Sequence, residues 1–494
     1  MDRTLRPWPA LWALVIGFFM ILVDTTIVSV ANPAIIDGLD TDIEQVLWVT
    51  SAYLLAYAVP LLITGRLGDR FGPKRLYLTG LALFTLASAA CGLSTDITML
   101  IAARVAQGLG ASMMTPQTMA VITRVFPPNK RGTAMGLWGA TAGVASLVGP
   151  ILGGVLLDSL GWEWIFFINL PVGVIAFVAA VRYVPRLPTH AHRFDIVGVI
   201  LSALGMFLLV FGIQEGQSYD WGYIWGPISV WSLIIAGIVV LIAFVVWQRF
   251  TSTEPLVPLR VFHDRNFSLG NAVITTVGFA VTSMAIPLIF YLQLVLGLSP
   301  TESALMMVPM AVISGVLAPF VGRLIDRINP RLVATAGMTC CAVGLTWYAA
   351  VLTPGQSIIV LLMPSAMLGL ANAAMWGPLA TMTTRNLPPA LAGAGSGVYN
   401  TTRQVGAVLG SASIAMMMQA RLAAELPSSG DAPAGTEVGL ATALPEFLHE
   451  GFSAAMGQAM LLPAALSLVG AVVTLFFAKP KPLIDEWGTA AQAD

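Results

Sequence analysis

Charged side chains are scarce in this sequence. Asp, Glu, Lys and Arg make up 10% of its 494 residues, while hydrophobic residues make up 57%. Soluble domains carry roughly 25% charged residues, so a water-soluble core cannot hide this much apolar surface. Apolar segments of about 20 residues recur along the chain, the length that an α-helix needs to cross roughly 30 Å of hydrocarbon. The sequence therefore predicts an all-α polytopic membrane protein.

The residues of common enzyme and cofactor chemistry are also missing. Cys340 and Cys341 are adjacent and Cys91 lies in an apolar run, so a disulfide framework is not expected. No Gly-Lys dipeptide occurs, which excludes a phosphate-binding P-loop, and His449-Glu450 does not continue to a second His. The net charge of −1 gives no sign of a nucleic-acid partner. We expect no enzymatic activity, no metal and no cofactor.

Apolar runs between charged or Gly- and Pro-rich breaks give about fourteen predicted spans, arranged as six, two and six. The predicted domains are an N-terminal six-helix bundle (1–184), a linker with two extra spans (185–265) and a C-terminal six-helix bundle (266–478). A long external loop at 421–454 and a cytoplasmic tail at 479–494 complete this division. The predicted spans lie near 10–32, 46–66, 75–94, 97–122, 133–157, 164–184, 196–214, 227–248, 267–292, 303–322, 331–352, 357–380, 392–418 and 455–477.

The distribution of Lys and Arg predicts the orientation in the membrane. Short cytoplasmic loops hold an excess of these residues. A cytoplasmic N-terminus places 21 of the 24 Lys and Arg residues on the cytoplasmic side. The opening MDRTLRPWPA leads into an apolar run without an A-x-A-like cleavage site, so we expect a retained first span. The prediction is a multi-pass protein of the cell (inner) membrane with both termini in the cytoplasm.

Two ionisable residues within the predicted spans form a candidate proton site. Asp24 lies about fourteen residues into the outward-running first span, and Arg104 lies about seven residues into the inward-running fourth span. In a core about 30 Å thick, both reach a similar depth. An acid and a guanidinium at one depth can pair, and protonation of the acid would release the pair. The alternative is a static ion pair or a helix cap.

A charged hairpin between apolar helices occurs twice. GRLGDRFGPKR begins at Gly65, and a weaker copy, GRLIDRINPRL, begins at Gly322. The repeat indicates two related halves, each with a polar cytoplasmic hinge. A single surface ion pair contributes on the order of 0–1 kcal/mol. The hairpin charges are therefore interpreted as a latch whose energy differs between conformational states.

The fifth span is rich in small residues. Gly139 and Gly143 are four residues apart, as are Gly149 and Gly153, and Pro150 removes one helical hydrogen bond. This spacing fits either ordinary tight packing or a rocking contact between the two halves.

Aromatic and polar residues near the middle of several spans are candidates for a broad amphipathic pocket. For any one of them, packing against lipid or another helix is the alternative. The candidate substrate-binding residues are Tyr53, Tyr57, Gln107, Trp138, Asn400, Arg403 and Gln404.

Five motifs in order resemble the fourteen-span drug:proton antiporter branch of the major facilitator superfamily, over nearly the whole chain. They are VDTTIVSVANP around Asp24, GRLGDRFGPKR from Gly65, RVAQGLGASMMTP from Arg104, GPILGG from Gly149 and WEWIFFINLPVG from Trp162.

The resemblance implies a major facilitator fold of two six-helix bundles plus two extra spans, with a central cavity and alternating access. It also implies roles for individual residues. Asp24 and Arg104 would couple protons. Asp69, with its neighbours Gly65, Arg70, Lys74 and Arg75, would form a cytoplasmic gate. Gly149, Pro150, Gly153 and Gly154 would belong to a hinge-like interface.

The expected function is a multidrug efflux antiporter that exports amphipathic small molecules, is driven by the proton gradient and acts as a monomer in the bilayer. A dedicated exporter of a metabolite, lipid or siderophore is the alternative. The scarcity of polar residues in the spans argues against a channel or a membrane enzyme. No acid is expected within the C-terminal spans, because Glu302 lies near an external end. Neutral or singly charged lipophilic compounds, or anions drawn to Arg403, are therefore as plausible as multiply charged cations.

Overall fold

The computed structural model describes residues 6–41, 43–189, 195–216, 219–251, 255–388, 391–426 and 444–478. The predicted tail at 479–494 lies outside the described residues, as does 427–443, which is half of the predicted external loop. The first residues of that loop are helical, because α16 continues to Glu425.

The N-terminal half contains eight helices that correspond to the first six predicted spans. The second span is a broken helix, in which α2 and α3 meet at a bend of 46°. Pro60 at the break has no N–H to donate and its ring disfavours a continuous helix. The bounds are α1 (Pro7–Leu39), α2 (Ile43–Ala58), α3 (Leu61–Phe71), α4 (Pro73–Gly92), α5 (Ile97–Val125), α6 (Pro128–Leu160), α7 (Trp164–Phe167) and α8 (Asn169–Tyr183).

The C-terminal half repeats this plan. A π-helical turn, Tyr291–Val295, extends the first of its helices, and the second predicted span of this half is divided into α12 and α13. The bounds are α11 (Arg265–Phe290), α12 (Pro300–Leu305), α13 (Val308–Ile325), α14 (Pro330–Val351), α15 (Ile358–Thr384), α16 (Ala392–Glu425) and α17 (His449–Thr474). Short 3-10 turns, Leu259–His263 and Glu446–Leu448, precede α11 and α17.

Among the described residues, thirteen helical segments are long and apolar enough to cross a membrane, and the count rises to fourteen when the bent α2–α3 pair is one span. Each of the fourteen predicted spans overlaps one of these segments. The fold is therefore an all-α membrane fold, as the sequence predicts.

The two halves meet along α6, which packs against α13 and α15, and along α3, which packs against α16. Four glycines form one stripe of α6 at this boundary: Gly132, Gly136, Gly139 and Gly143. A Cβ atom built on Gly136 would lie 2.9 Å from the Ala318 carbonyl oxygen of α13. One built on Gly139 would lie 2.5 Å from the Trp376 Cβ of α15. The absence of side chains lets the helices of the two halves approach closely.

Most of the charged loops lie at one end of this bundle, which we call the basic end. It carries Arg66 within α3 and, at or near helix termini, Arg70, Lys74, Arg124, Arg131, Arg323, Arg327 and Arg385.

The two extra spans form a hairpin of α9 (Ile196–Gln214) and α10 (Val230–Phe250), joined through a two-stranded turn of β1 (Tyr223–Trp225) and β2 (Ile228–Ser229). This hairpin contacts both halves. The Phe211 ring of α9 lies 5.8 Å from the Trp48 ring of α2. Val408 and Ala412 of α16 pack against the apolar cluster at the strand end of the hairpin. The hairpin therefore lies across the seam between α2 and α16.

One buried carboxylate holds the two helices of the hairpin together. Asp195 caps α9 by accepting from the Gly198 N–H at 2.9 Å. It also accepts from the Trp247 Nε1 at 2.8 Å and the Gln248 Nε2 at 2.6 Å, both on α10. Gln248 in turn accepts from the Val257 N–H at 3.0 Å, which ties the hairpin to the connector before α11.

We expect Asp195→Ala to destabilise the protein by about 1–3 kcal/mol, because it leaves three donors, two of them buried, without an acceptor. Thermal unfolding in detergent should show a lower Tm. Asp37→Ala, which removes an exposed acid of α1, serves as the control and should leave the Tm unchanged. Equal Tm values for wild type and Asp195→Ala would mean that apolar packing alone holds the hairpin.

Candidate functional site

The structure brings Asp24 of α1 and Arg104 of α5 into direct contact inside the N-terminal half. The Arg104 Nη1 donates to the Asp24 Oδ2 at 2.6 Å, and both side chains are 0% exposed. A buried ion pair is stable only when hydrogen bonds satisfy its remaining polar atoms. The surroundings of this pair supply several such bonds.

Two amides complete the coordination of the Asp24 carboxylate. The Gln107 Nε2 and the Asn169 Nδ2 donate to Oδ1 at 2.8 and 2.9 Å. Asn169 also donates to the Ser88 Oγ at 3.0 Å. Gln107, predicted as a pocket residue, thus lies in the ion-pair network. Asn169 and Ser88 were missed, although Asn169 lies in the quoted motif WEWIFFINLPVG and is a polar residue between apolar ones.

The Arg104 guanidinium is held from three further directions. Its Nε donates to the Val49 carbonyl oxygen at 3.1 Å, and its Nη1 donates to the Gln107 Oε1 at 2.7 Å. Its central carbon lies 4.0 Å from the centre of the Tyr53 ring, a cation–π geometry. Because Tyr53 and Val49 belong to α2, any change in the ion pair acts on α1, α2 and α5 together.

At the basic end, Asp69 of the N-terminal half binds the C-terminal half. Its carboxylate accepts from the backbone N–H groups of Gly393 and Ala394, at 3.0 and 2.9 Å, and it forms an ion pair with Arg124. Gly393 and Ala394 are the second and third residues of α16, where N–H groups lack helical partners and the helix dipole favours a negative charge. Asp69 is 1% exposed.

Asp326 of the C-terminal half makes the reciprocal contact. It accepts from the N–H groups of Gly132 and Thr133 near the start of α6, at 2.9 and 3.2 Å, and from the Thr133 hydroxyl at 2.8 Å. Burial raises the pKa of Asp326, and these hydrogen bonds together with the charge of Arg385 oppose that rise. Each half therefore caps a helix of the other half with an aspartate.

The other predicted gate residues are divided between two environments. Gly65 lies at the boundary of the halves, where a built Cβ atom would meet the Gly393 carbonyl oxygen at 2.5 Å. The Lys74 Nζ instead donates to the Val181 carbonyl oxygen of α8 at 2.6 Å, inside the N-terminal half. The Arg70 guanidinium lies 5.2 Å from the neighbouring Phe71 ring, and Arg75 is exposed.

The predicted hinge motif in α6 faces both halves. Gly149 packs against Thr26 of α1 in its own half, whereas a Cβ atom built on Gly154 would lie 3.4 Å from the Thr301 Oγ1 of α12. Pro150 lies within the helix, and Gly153 is buried. The closest approach to the C-terminal half is made nearer the basic end, by the glycine stripe.

Part of the predicted pocket comes together between the halves. The Arg403 Nη2 of α16 donates to the Tyr57 Oη of α2 at 3.4 Å. The Tyr57 hydroxyl is also 3.1 Å from the Thr115 Oγ1, and its ring lies 6.1 Å from the Tyr53 ring. This group of residues connects the Arg104 environment with the C-terminal half.

The remaining predicted pocket residues are buried. Trp138 stacks on Phe18 with the ring centres 5.0 Å apart. The Asn400 Nδ2 donates to the Ser396 carbonyl oxygen at 2.9 Å, and Gln404 is buried one residue after Arg403. Within the described part of the chain, no group of three His, Cys, Asp or Glu residues has the geometry of a metal site.

Comparison with known proteins gives a consistent set of matches. The family model described as Major Facilitator Superfamily matches residues 14–411. The uncharacterized MFS-type transporter Rv1250 of Mycobacterium tuberculosis is 54% identical, over 98% of this chain and 82% of that protein. The tetracenomycin C resistance and export protein of Streptomyces glaucescens is 35% identical, over 97% of this chain and 93% of the relative.

Two further matches extend this set. The multidrug export protein EmrB of Escherichia coli is 32% identical, over 81% of this chain and 77% of the relative. A solved structure of the proton:xylose symporter XylE superimposes with a TM-score of 0.65 over 96% of each chain, at 14% identity. The structural match supports the fold alone.

We expect Gly65→Ala to shift the protein away from the state described here, because the new Cβ atom would collide with backbone of the other half. Spin labels on Arg75→Cys and Arg327→Cys, placed in a background without the native cysteines, report the separation at the basic end. Their distance distribution should move to longer values in Gly65→Ala.

Gly110→Ala is the matched control for this experiment. Its Cβ atom would lie 2.7 Å from the Phe84 nitrogen, inside the N-terminal half. It should lower thermal stability and leave the label distances unchanged. An unshifted distribution in Gly65→Ala would mean that this contact does not hold the two halves together at the basic end.

Proposed function

The chain belongs to the Major Facilitator Superfamily, and on that premise we propose that it is a proton-coupled efflux transporter of amphipathic small molecules. Transport proceeds by alternating access, in which the two halves rock around a central site. Two of the relatives named above are export proteins, which supports the direction of transport.

The observation that carries the proton coupling is the buried network around Asp24. The Asp24 carboxylate lies in an apolar region and accepts hydrogen bonds from Arg104, Gln107 and Asn169. Protonation removes the charge that compensates Arg104, and an unpaired buried guanidinium is strongly unfavourable. Arg104 must then find other partners, which requires α1, α2 and α5 to rearrange.

The proton and the substrate use this network in turn. Both charged side chains are shielded from water in the state described here. A proton from outside reaches Asp24 once the cavity opens outward, and its arrival displaces substrate or releases the pair. The proton leaves to the cytoplasm after the halves have reoriented. The proton gradient thus supplies the energy.

The basic end is assigned to the cytoplasm, in agreement with the excess of Lys and Arg expected there. The Asp69 and Asp326 caps then form a cytoplasmic gate that is closed in this state. Both must break when the halves separate at this end, and Gly65 and the glycine stripe of α6 provide the close contact that the caps hold. Arg70, Lys74 and Arg75 add positive charge at the same end of the molecule.

The protein is a multi-pass membrane protein, and we place it in the inner membrane, with both termini in the cytoplasm, where it acts as a monomer. A dedicated exporter of one metabolite, lipid or siderophore is the second candidate, since the relatives include one that is named for a single compound and one that is named for many. Efflux of several unrelated dyes, with and without an ionophore, separates the two.

The test of coupling is Asp24→Asn in proteoliposomes with an acidic lumen. We expect dye uptake driven by the pH gradient to fall by at least about tenfold, because an amide cannot bind and release the coupling proton. Dye exchange without a gradient should persist, and size-exclusion chromatography should show a folded protein.

Asp37→Asn, an exposed acid farther along α1, is the control and should transport like wild type. Undiminished proton-driven uptake by Asp24→Asn would contradict the proposal. If Asp24→Asn loses both gradient-free exchange and driven uptake, Asp24 belongs to the substrate-binding site instead.

A further inference from the structure

Arg403 is a cation within the membrane-spanning part of the C-terminal half. It lies eleven residues after Ala392, the first residue of α16, which is about 17 Å along the helix at 1.5 Å per residue. This depth is near the middle of a core of roughly 30 Å. A charge at such a depth is costly and normally has a partner or a function.

Two other arginines in the spans described above have carboxylate partners. Arg104 binds Asp24 and Arg124 binds Asp69. For Arg403, no carboxylate lies within ion-pair distance in the described part of the chain. Its only hydrogen bond among the described residues is the long one to the neutral Tyr57 hydroxyl, and its buried Nε has no partner there. Among the residues that the structure describes, the charge of Arg403 is therefore uncompensated.

The surroundings of Arg403 add hydrogen-bonding atoms and aromatic rings. Tyr399 and Asn400 precede it by four and three residues, so they share its face of the helix. Within the described chain, the Tyr399 Oη and the Asn400 Oδ1 are buried and without a hydrogen-bond partner. Burial of polar atoms without partners is unfavourable, so a ligand that satisfies them would be stabilised.

The backbone that carries Arg403 is held firmly. The Thr402 Oγ1 donates to the Asn271 Oδ1 of α11 at 3.0 Å. A side chain at Gly278 of α11 would collide with the Arg403 carbonyl oxygen. The cation is thus positioned by one half, while Tyr57 is supplied by the other.

We propose that Arg403 binds the negatively charged group of the exported molecule, and that the substrates include aromatic amphipathic anions such as carboxylates and acidic phenols. This inference rests on the proposed export function and names its substrate class. The guanidinium neutralises the anion, the Tyr57 and Tyr399 hydroxyls donate to it, and the rings of Tyr53 and Tyr57 lie beside its aromatic part.

The test uses two dyes with one xanthene scaffold and opposite charge. Fluorescein is an anion at pH 7.5, and rhodamine 123 is a cation. Fluorescence anisotropy with the full-length protein in nanodiscs gives both dissociation constants. In Arg403→Gln, we expect the dissociation constant for fluorescein to rise at least about tenfold, since a charged hydrogen bond is lost, while that for rhodamine 123 stays equal or falls.

Two further variants separate charge from structure. Arg403→Lys keeps the charge and should retain part of the fluorescein affinity. Arg421→Gln removes an exposed arginine of the same helix and should behave like wild type. If Arg403→Gln does not fold, Tyr57→Phe, which keeps the cation and removes one donor, should still weaken fluorescein binding and spare rhodamine 123.

The outcomes distinguish this inference from the export function. Wild-type protein that does not bind fluorescein, or Arg403→Gln that binds it equally well, overturns the anion site. Gradient-driven transport of rhodamine 123 without transport of fluorescein overturns the anion site alone. Fluorescein that binds through Arg403 but is not moved by a pH gradient supports the site and counts against proton-coupled export.

Discussion

The contact between Asp24 and Arg104 constrains the whole N-terminal half. Two opposite charges lie in a region shielded from solvent, and each is stable there only because the other is present. The amides of Gln107 and Asn169 and the ring of Tyr53 surround the pair, so α1, α2, α5 and α8 all contribute to it. In the proposed mechanism, binding of one proton at Asp24 therefore changes the packing of all four helices.

The aspartate caps at the basic end affect the free-energy difference between conformational states. A surface ion pair between Asp69 and a lysine or arginine would contribute little, but Asp69 is buried and its hydrogen bonds cross between the halves. Asp326 does the same in the opposite direction. In the proposed alternating-access cycle these bonds exist in one conformational state and break in another, so they set the balance between the states. In the proposed mechanism, the Asp24 network responds to the proton, and the caps determine how much free energy that response must supply.

Scarcity of charge made the main site predictable. Asp24 and Arg104 could be found because few ionisable residues occur inside the spans, and helix rise alone placed them at one depth. Their amide partners were harder to predict from the sequence, since Asn169 and Gln107 resemble many other polar residues in transmembrane helices. The copy of the charged hairpin at Gly322 likewise indicated two related halves.

Partners that depend on tertiary packing were not predictable. The loop sequence around Asp69 gives its charge, but the backbone of Gly393 and Ala394 lies more than three hundred residues away. Lys74 was grouped with the gate because it is basic and close in sequence, yet it caps α8 within its own half. The glycine stripe of α6 was visible as small residues at helical spacing. The sequence does not show which of these glycines face the other half, because that depends on the orientation of α6 about its own axis.

The position of the α9–α10 hairpin has a consequence for lipids. On one flank of the molecule, α6 and α13 close the boundary by direct contact of their glycine-rich faces. On the opposite flank, α2 and α16 are bridged by the hairpin, which contacts Trp48 on one side and Val408 on the other through apolar side chains. Acyl chains are thereby excluded from the seam at this flank. In the proposed function, a hydrophobic substrate that enters from the bilayer must use another route, so the two extra helices restrict the direction of its entry.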